Sequence, residues 1–259
     1  MNDRSPILET QALSVSIGGK QVCRELNLAL RPGERWGVLG LNGVGKTSLL
    51  HTLGGIRAGD SGEILLDGVC LADAPRRQLA QRVGMMLQDS DEAFPSSVME
   101  AALIGRHPHL GAWEWEGARE EGLAQAALNA VGLAGFEARS TATLSGGERR
   151  RLALAALLVQ DPQLLLLDEP VNHLDVHHQI AALDLLTKLA REQNKTLVIV
   201  LHDVNLAARY CDKVLLLFGD GETQQGATDA LLTEANLARL YHHPLRRVQT
   251  GAGNFFYPE

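Results

Sequence analysis

A lysine at the end of a glycine-spaced turn is the first feature of this chain that could do chemistry. Residues 37–50 read GVLGLNGVGKTSLL. An apolar strand ends, a turn follows with Gly40, Asn42, Gly43 and Gly45, and Lys46, Thr47 and Ser48 open a leucine-spaced helix. The stretch satisfies G-x-x-x-x-G-K-[ST] between a strand and a helix. The glycines let several backbone N–H groups point inward, and the helix start adds its positive end. Such a cradle suits the phosphates of a nucleoside triphosphate. Lys46 would neutralise the terminal phosphates and Thr47 would hold magnesium. Ser48 counts with the nucleotide-binding residues, although its hydroxyl suits helix packing better.

A second constellation is LLLLDEP, residues 164–170. An acid that ends a buried strand is costly unless it meets a cation. Asp168 beside such a loop would reach magnesium, directly or through water. Glu169, one step on, could polarise an attacking water. His202 ends LVIVLH and could hydrogen-bond the terminal phosphate and that water. Gln88 ends GMML and could sense magnesium and water.

A third is LSGGERRRLALAALLVQDP, residues 144–162, where Ser145, Gly146 and Gly147 open a helix and form a second anion-binding helix start. From Gly147 to Val159 is 13 residues, about 20 Å of helix at roughly 1.5 Å each. That length is expected to hold the turn roughly 20 Å from the chain's own acids, so that a second copy, turned head to tail, would bring its turn to the nucleotide. Arg149, Arg150 and Arg151 read as surface or packing residues.

These groups need strands to carry them. WGVLG, RVGMMLQ, LLLLDEP and TLVIVLHD are apolar runs that suit buried parallel strands. In an open parallel sheet, ligands bind beyond the carboxyl ends of the strands. The loop Gly40–Lys46, Gln88, Asp168–Glu169 and His202 would then share one rim. Before them, ALSVSIGGKQVCREL alternates about a Gly18–Gly19 turn, and Leu26, Leu28 and Leu30 alternate before Pro32–Gly33, marking an N-terminal antiparallel β part. Residues 97–158 carry leucine and alanine at helical spacing, as an inserted helical lobe. The tail shows a hairpin signal at Asp220–Gly221 and then helix. The expected class is α/β: one domain over residues 1–259, with a core of about 1–88 and 160–259 and a helical lobe of about 89–159.

Composition bounds the function. The 259 residues are 45% hydrophobic and 21% charged, with net charge −7, which gives no electrostatic case for nucleic acid. Three distant cysteines argue against a disulfide framework or zinc site and for a reducing compartment. No run reaches the 18 apolar residues of a membrane span, and the N-terminus lacks an apolar signal region.

In order and spacing, the glycine loop, Gln88, LSGGE, LLLLDEP, NHLD and His202 resemble the nucleotide-binding subunit of an ATP-binding cassette (ABC) transporter over about residues 7–245. The resemblance implies a P-loop ATPase whose head-to-tail dimer sandwiches two ATP with magnesium. Ser145, Gly146 and Gly147 would act on the partner's nucleotide, Glu169 would drive hydrolysis, and Asp175 would communicate between the two sites. Ile17 stands where the family usually stacks an aromatic residue on adenine, and Glu148 where it often has Gln. The segment from Phe94 to His109 would face an integral-membrane permease; its wording is similar to that of metal-chelate importers for cobalamin, ferric siderophores or haem, served by a substrate-binding protein. The chain would then sit peripherally on the cytoplasmic face of the cell membrane. Trp113 and Trp115 either meet a partner or cap the lobe. The alternatives are a soluble, non-transport ABC ATPase and a non-hydrolysing regulatory module.

Overall fold

The computed structural model describes residues 5–87, 96–111, 113–251 and 253–259. The chain begins with β1 (Leu8–Ile17), β2 (Lys20–Leu26), β3 (Ala29–Leu30) and β4 (Arg35–Gly40), then α1 (Lys46–Leu53), β5 (Ser61–Leu66) and β6 (Val69–Cys70). It continues through α2 (Arg76–Arg82), β7 (Val83–Met86), α3 (Val98–Leu103), α4 (Ala118–Ala130) and α5 (Gly146–Gln160). Next come β8 (Leu164–Asp168), α6 (Val176–Gln193), β9 (Thr196–Val200), α7 (Val204–Tyr210), β10 (Lys213–Leu217) and β11 (Thr223–Ala227). Two short helices, α8 (Thr228–Leu231) and α9 (Glu234–Tyr241), and a hairpin of β12 (Leu245–Thr250) with β13 (Gly253–Pro258) close the chain.

Among the described residues the N-terminal strands form one antiparallel sheet, ordered β2-β1-β5-β6, with β3 also paired to β1. A second sheet is ordered β11-β10-β4-β9-β8-β7, and every pairing in it except β10–β11 is parallel. The four expected parallel strands are there, side by side, so their carboxyl ends share one edge. A fifth, β10, flanks β4 on its other side; the sequence reading did not single out KVLLL. The terminal β12–β13 hairpin was likewise not foreseen. It is held through Asn205 on α7, which donates to Phe256 O at 3.0 Å and accepts from Phe256 N–H at 2.7 Å.

The two-residue period of a strand decides what lies on each face. Every residue of β8 and of β9 is buried, as covering on both faces requires. Leu164, Leu166, Val198 and Val200 join a core with α1 and the N-terminal sheet, through Leu49, Leu50 and Leu53. Leu165, Leu167, Leu197 and Ile199 join the opposite core with α3, α4, α5 and α6. The sheet thus lies between α1 on one face and α5 on the other. All three cysteines are free; burial pushes the Cys23 thiol up to about 11 and the Cys211 thiol up to about 12.

Because Leu166 is fully buried in the central layer, Leu166→Ala should cost about 2–5 kcal/mol in chemical denaturation. A loss below about 1 kcal/mol would mean that this layer is loosely packed.

Candidate functional site

The loop between β4 and α1 is built around close approaches. Gly45, the N-cap of α1, has φ 104°, and a Cβ there would lie 2.4 Å from Val22 Cγ2 on β2. Only glycine fits, and the contact shows that the N-terminal sheet leans on the loop. Ile17 is half-buried at the end of β1 in the same hairpin, and Arg57 anchors its neighbour by donating to Ser16 O at 2.7 Å. Asn42 and Gly43 are exposed, while Thr47 and Ser48 are half-buried on the first turn of α1. No side chain caps that helix start and no acid stands in its first turn. Lys46 is buried, and its Nζ donates to Gly40 O at 2.9 Å and Leu41 O at 3.1 Å. Burial lowers its pKa, while Glu169 and Asp168 act in the other direction. A buried ammonium beside uncapped N–H groups is matched to an anion.

Two strands along the sheet, the end of β8 carries the acids. Asp168 is 0% exposed, and neither carboxylate oxygen has a hydrogen-bond partner of regular geometry among the described residues. Burial pushes its pKa up and Glu169 adds to the rise. The Thr47 hydroxyl, outside regular hydrogen-bond geometry, and the charges of Arg150 and His51 oppose it. An exposed cleft would not create this frustration; a bound cation would relieve it. The residues therefore fit a divalent ion beside Thr47 and Asp168. Glu169 has φ 51° in the left-handed region, a strained setting for a non-glycine residue. One of its carboxylate oxygens meets His202 Nε2 at 2.5 Å, and the other accepts from Asn172 Nδ2. His202 follows β9, which lies between β4 and β8, so it stands between the loop and the acids. Gln88 lies outside the described residues, although its neighbour Leu87 belongs to the site.

The Ser145 turn caps α5 with a reciprocal pair. Ser145 Oγ accepts from Glu148 N–H at 3.2 Å, and Ser145 N–H donates to Glu148 Oε2 at 2.7 Å. Glu148 Oε1 also accepts from Arg139 at 3.1 Å. Ser145 and Gly146 are exposed and Gly147 is half-buried. The capping and the ion pair give a physical reason for Glu at position 148.

The expected 20 Å separation between this turn and the chain's own acids does not hold. After α5 the chain reverses, and β8 runs back to the level of the helix's first turn. There Arg150 donates to Leu87 O at 2.8 Å, to Glu169 O at 2.5 and 3.2 Å, and to Asp168 O. A Cβ on Gly147 would stand 3.3 Å from His173 O. What separates the starts of α1 and α5 is the sheet, since the two helices pack on opposite faces. Arg150 is thus a central fastener that the sequence reading left among surface or packing residues. Its spacing from Leu154 and Leu157 on the buried stripe of α5 was the available signal. Asn172 was also missed as a partner of Glu169. Asp175 caps α6, accepting from His178 N–H at 2.9 Å.

The sequence model of the family described as ABC transporter matches residues 23–172. The chain belongs to the ABC transporter family. It is an ATP-binding subunit of that family and an ATPase of the transport-coupled class. It is 40% identical to the hemin import ATP-binding protein HmuV of Pseudomonas fluorescens over 91% of this chain and 92% of that protein. It is 35% identical to the petrobactin import ATP-binding protein FpuD of Bacillus anthracis over 88% of this chain and 83% of that one. Another curated relative, from Bacillus subtilis, is longer, and the chain spans 53% of its length. Among solved structures, an inward-facing metal-chelate type ABC transporter matches with a TM-score of 0.85 and 30% identity, covering 98% of each chain. The α/β cassette expected of this ABC subunit is thereby shown.

Two outcomes test the geometry. Asp168→Asn removes a charge that the fold disfavours, so it should raise the melting temperature of the nucleotide-free protein, by about 2–4 °C per kcal/mol relieved; an unchanged or lower value would mean the carboxylate is already compensated. Arg150→Ala removes the donor to three carbonyls and should lower both melting temperature and ATP turnover, the latter at least tenfold (about 1.4 kcal/mol), in a steady-state phosphate-release assay. Wild-type turnover would show that the fastener is dispensable.

Proposed function

We propose that this ABC subunit hydrolyses ATP at two sites formed by a head-to-tail pair of copies, and that the cycle powers a membrane permease importing a metal chelate. The observation that carries the reading is the shared rim. A buried Lys46 beside an uncapped helix start faces the same edge as Asp168, Glu169 and His202. In this reading Gly40, Asn42, Gly43, Gly45, Lys46, Thr47 and Ser48 hold the phosphates, and Ile17 packs on the base. Lys46 exchanges its two loop carbonyls for phosphate oxygens. Magnesium, held by Thr47, Asp168 and Gln88, would neutralise phosphate charge when bound. Glu169, oriented by His202 and Asn172, accepts a proton from the attacking water. The exposed Ser145–Gly147 turn of the second copy closes over the nucleotide, and Asp175, six residues beyond Glu169 at the start of α6, links the two sites.

Support for a permease partner comes from a groove beside Leu87, about 400 Å³ in volume and lined by Met85, Ala101, Ile104, Pro108 and Leu152. Ile104 is 56% exposed at its edge. The groove adjoins the segment expected to face a permease, of which Phe94 lies outside the described residues. His109 is turned inward instead, with Nε2 2.8 Å from Gln160 O. No helix among the described residues is long and apolar enough to cross a membrane. In this reading the subunit docks peripherally on the cytoplasmic face through permease subunits. The names of the relatives favour import of a metal chelate over a non-transport cassette. Cobalamin, ferric siderophores and haem remain the cargo classes, delivered by a substrate-binding protein.

Glu169→Gln should keep ATP binding, lose turnover by about 10²–10⁴-fold, as removal of a general base does, and accumulate as a dimer in size-exclusion chromatography with ATP. Turnover near wild type would remove Glu169 as the base.

A further inference from the structure

The stretch between His109 and α4 carries two tryptophans that the other described residues leave uncovered. Trp113 is 93% exposed and Trp115 is 86% exposed, whereas Trp36 is buried. They therefore do not cap the helical lobe. Two large aromatic side chains standing in water mark a surface built for a partner.

The backbone beneath them is fastened. Arg77 on α2 donates to Pro108 O at 2.9 Å and to Leu110 O, and Gln81 donates to Pro108 O at 2.7 Å. Gly111 N–H donates to Glu114 Oε2 at 2.6 Å, while Glu114 N–H returns to Gly111 O at 3.1 Å. His107 Nε2 lies 3.4 Å from Glu116 Oε1, and Gly117 N–H donates to Glu120 at 3.2 Å. The tryptophans thus stand on a held turn.

Charge selects the occupant. Residues 113–121 contain Glu114, Glu116, Glu120 and Glu121 against Arg119, so the stretch carries 1 − 4 = −3. Anionic lipid headgroups would be repelled. A basic peptide segment would be attracted, with guanidinium or ammonium groups over the indole faces and near the carboxylates. Cytoplasmic segments of membrane proteins carry an excess of Lys and Arg. We propose that Trp113 and Trp115, with the carboxylates around them, dock a basic cytoplasmic segment of the membrane partner, as a contact additional to the groove beside Leu87. The inference rests on the transport reading and names a second point of attachment for it.

The test uses the full-length subunit and its cognate permease in detergent, with the permease immobilised and binding followed by surface plasmon resonance. Trp113→Ala/Trp115→Ala should bind at least about tenfold more weakly, and Glu116→Lys/Glu121→Lys should also weaken binding. The aromatic replacement Trp113→Phe/Trp115→Phe should recover part of the loss. All of these variants should keep the basal ATPase of the isolated subunit, which shows that they fold. Wild-type affinity in the double alanine variant overturns the proposal. So does tryptophan-dependent binding to permease-free phosphatidylcholine/phosphatidylglycerol vesicles, which would make the bilayer the occupant. Tryptophan-dependent self-association without permease would assign the surface to a second copy and overturn it as well. If the wild-type subunit hydrolyses ATP but does not bind the permease, the transport reading falls first and this one with it; loss of tryptophan dependence alone leaves transport intact.

Discussion

Charge held where the fold disfavours it is the constraint on which this molecule turns. Asp168 is fully buried at the end of a central strand and its ionised form is penalised by that burial. Lys46 is buried on the same edge, and among the described residues its ammonium donates to two carbonyls of its own loop. The two groups do not neutralise one another through a direct ion pair. In the proposed reading each exchanges its surroundings for a ligand: the lysine for phosphate, the carboxylate for a cation. A site already at electrostatic rest would have less to gain from nucleotide.

The parallel sheet makes that placement possible. β4, β9, β8 and β7 lie side by side, so groups separated by more than a hundred residues in sequence end on one edge. The same sheet keeps the two helix starts apart by putting α1 and α5 on opposite faces. Arg150 crosses from the first turn of α5 to the carbonyls of Leu87, Asp168 and Glu169. It thereby joins the helix start that follows Ser145 to the backbone of the acids on the same chain.

Local chemistry was legible in the sequence and spatial return was not. The glycine loop, the DEP acids and the Ser145 turn each announce themselves by residue type and short-range spacing, and buried apolar runs identified four strands. KVLLL is only five residues long and ends in no polar group, so β10 had no functional signature. The final hairpin has consecutive Arg246 and Arg247 in one strand and consecutive Phe255, Phe256 and Tyr257 in the other on a mostly exposed surface, so it lacks the alternation of a half-buried strand. Helix length alone suggested that the Ser145 turn stood far from Asp168; the reversal between α5 and β8 cancels that length. Three consecutive arginines look alike in sequence, but only Arg150 is placed by helical phase over the strand ends.

Mixed-copy complementation tests the central claim most directly. Lys46→Ala and Ser145→Arg should each abolish turnover alone, because either defect would recur in both sites of a homodimer. Mixed dimers contain one site with an intact loop from one copy and an intact turn from the other. Random mixing at equal amounts should therefore restore up to about a quarter of wild-type turnover, since half of the dimers are mixed and one of their two sites is whole. No recovery, with mixed dimers demonstrated by mass spectrometry, would contradict a site completed between copies.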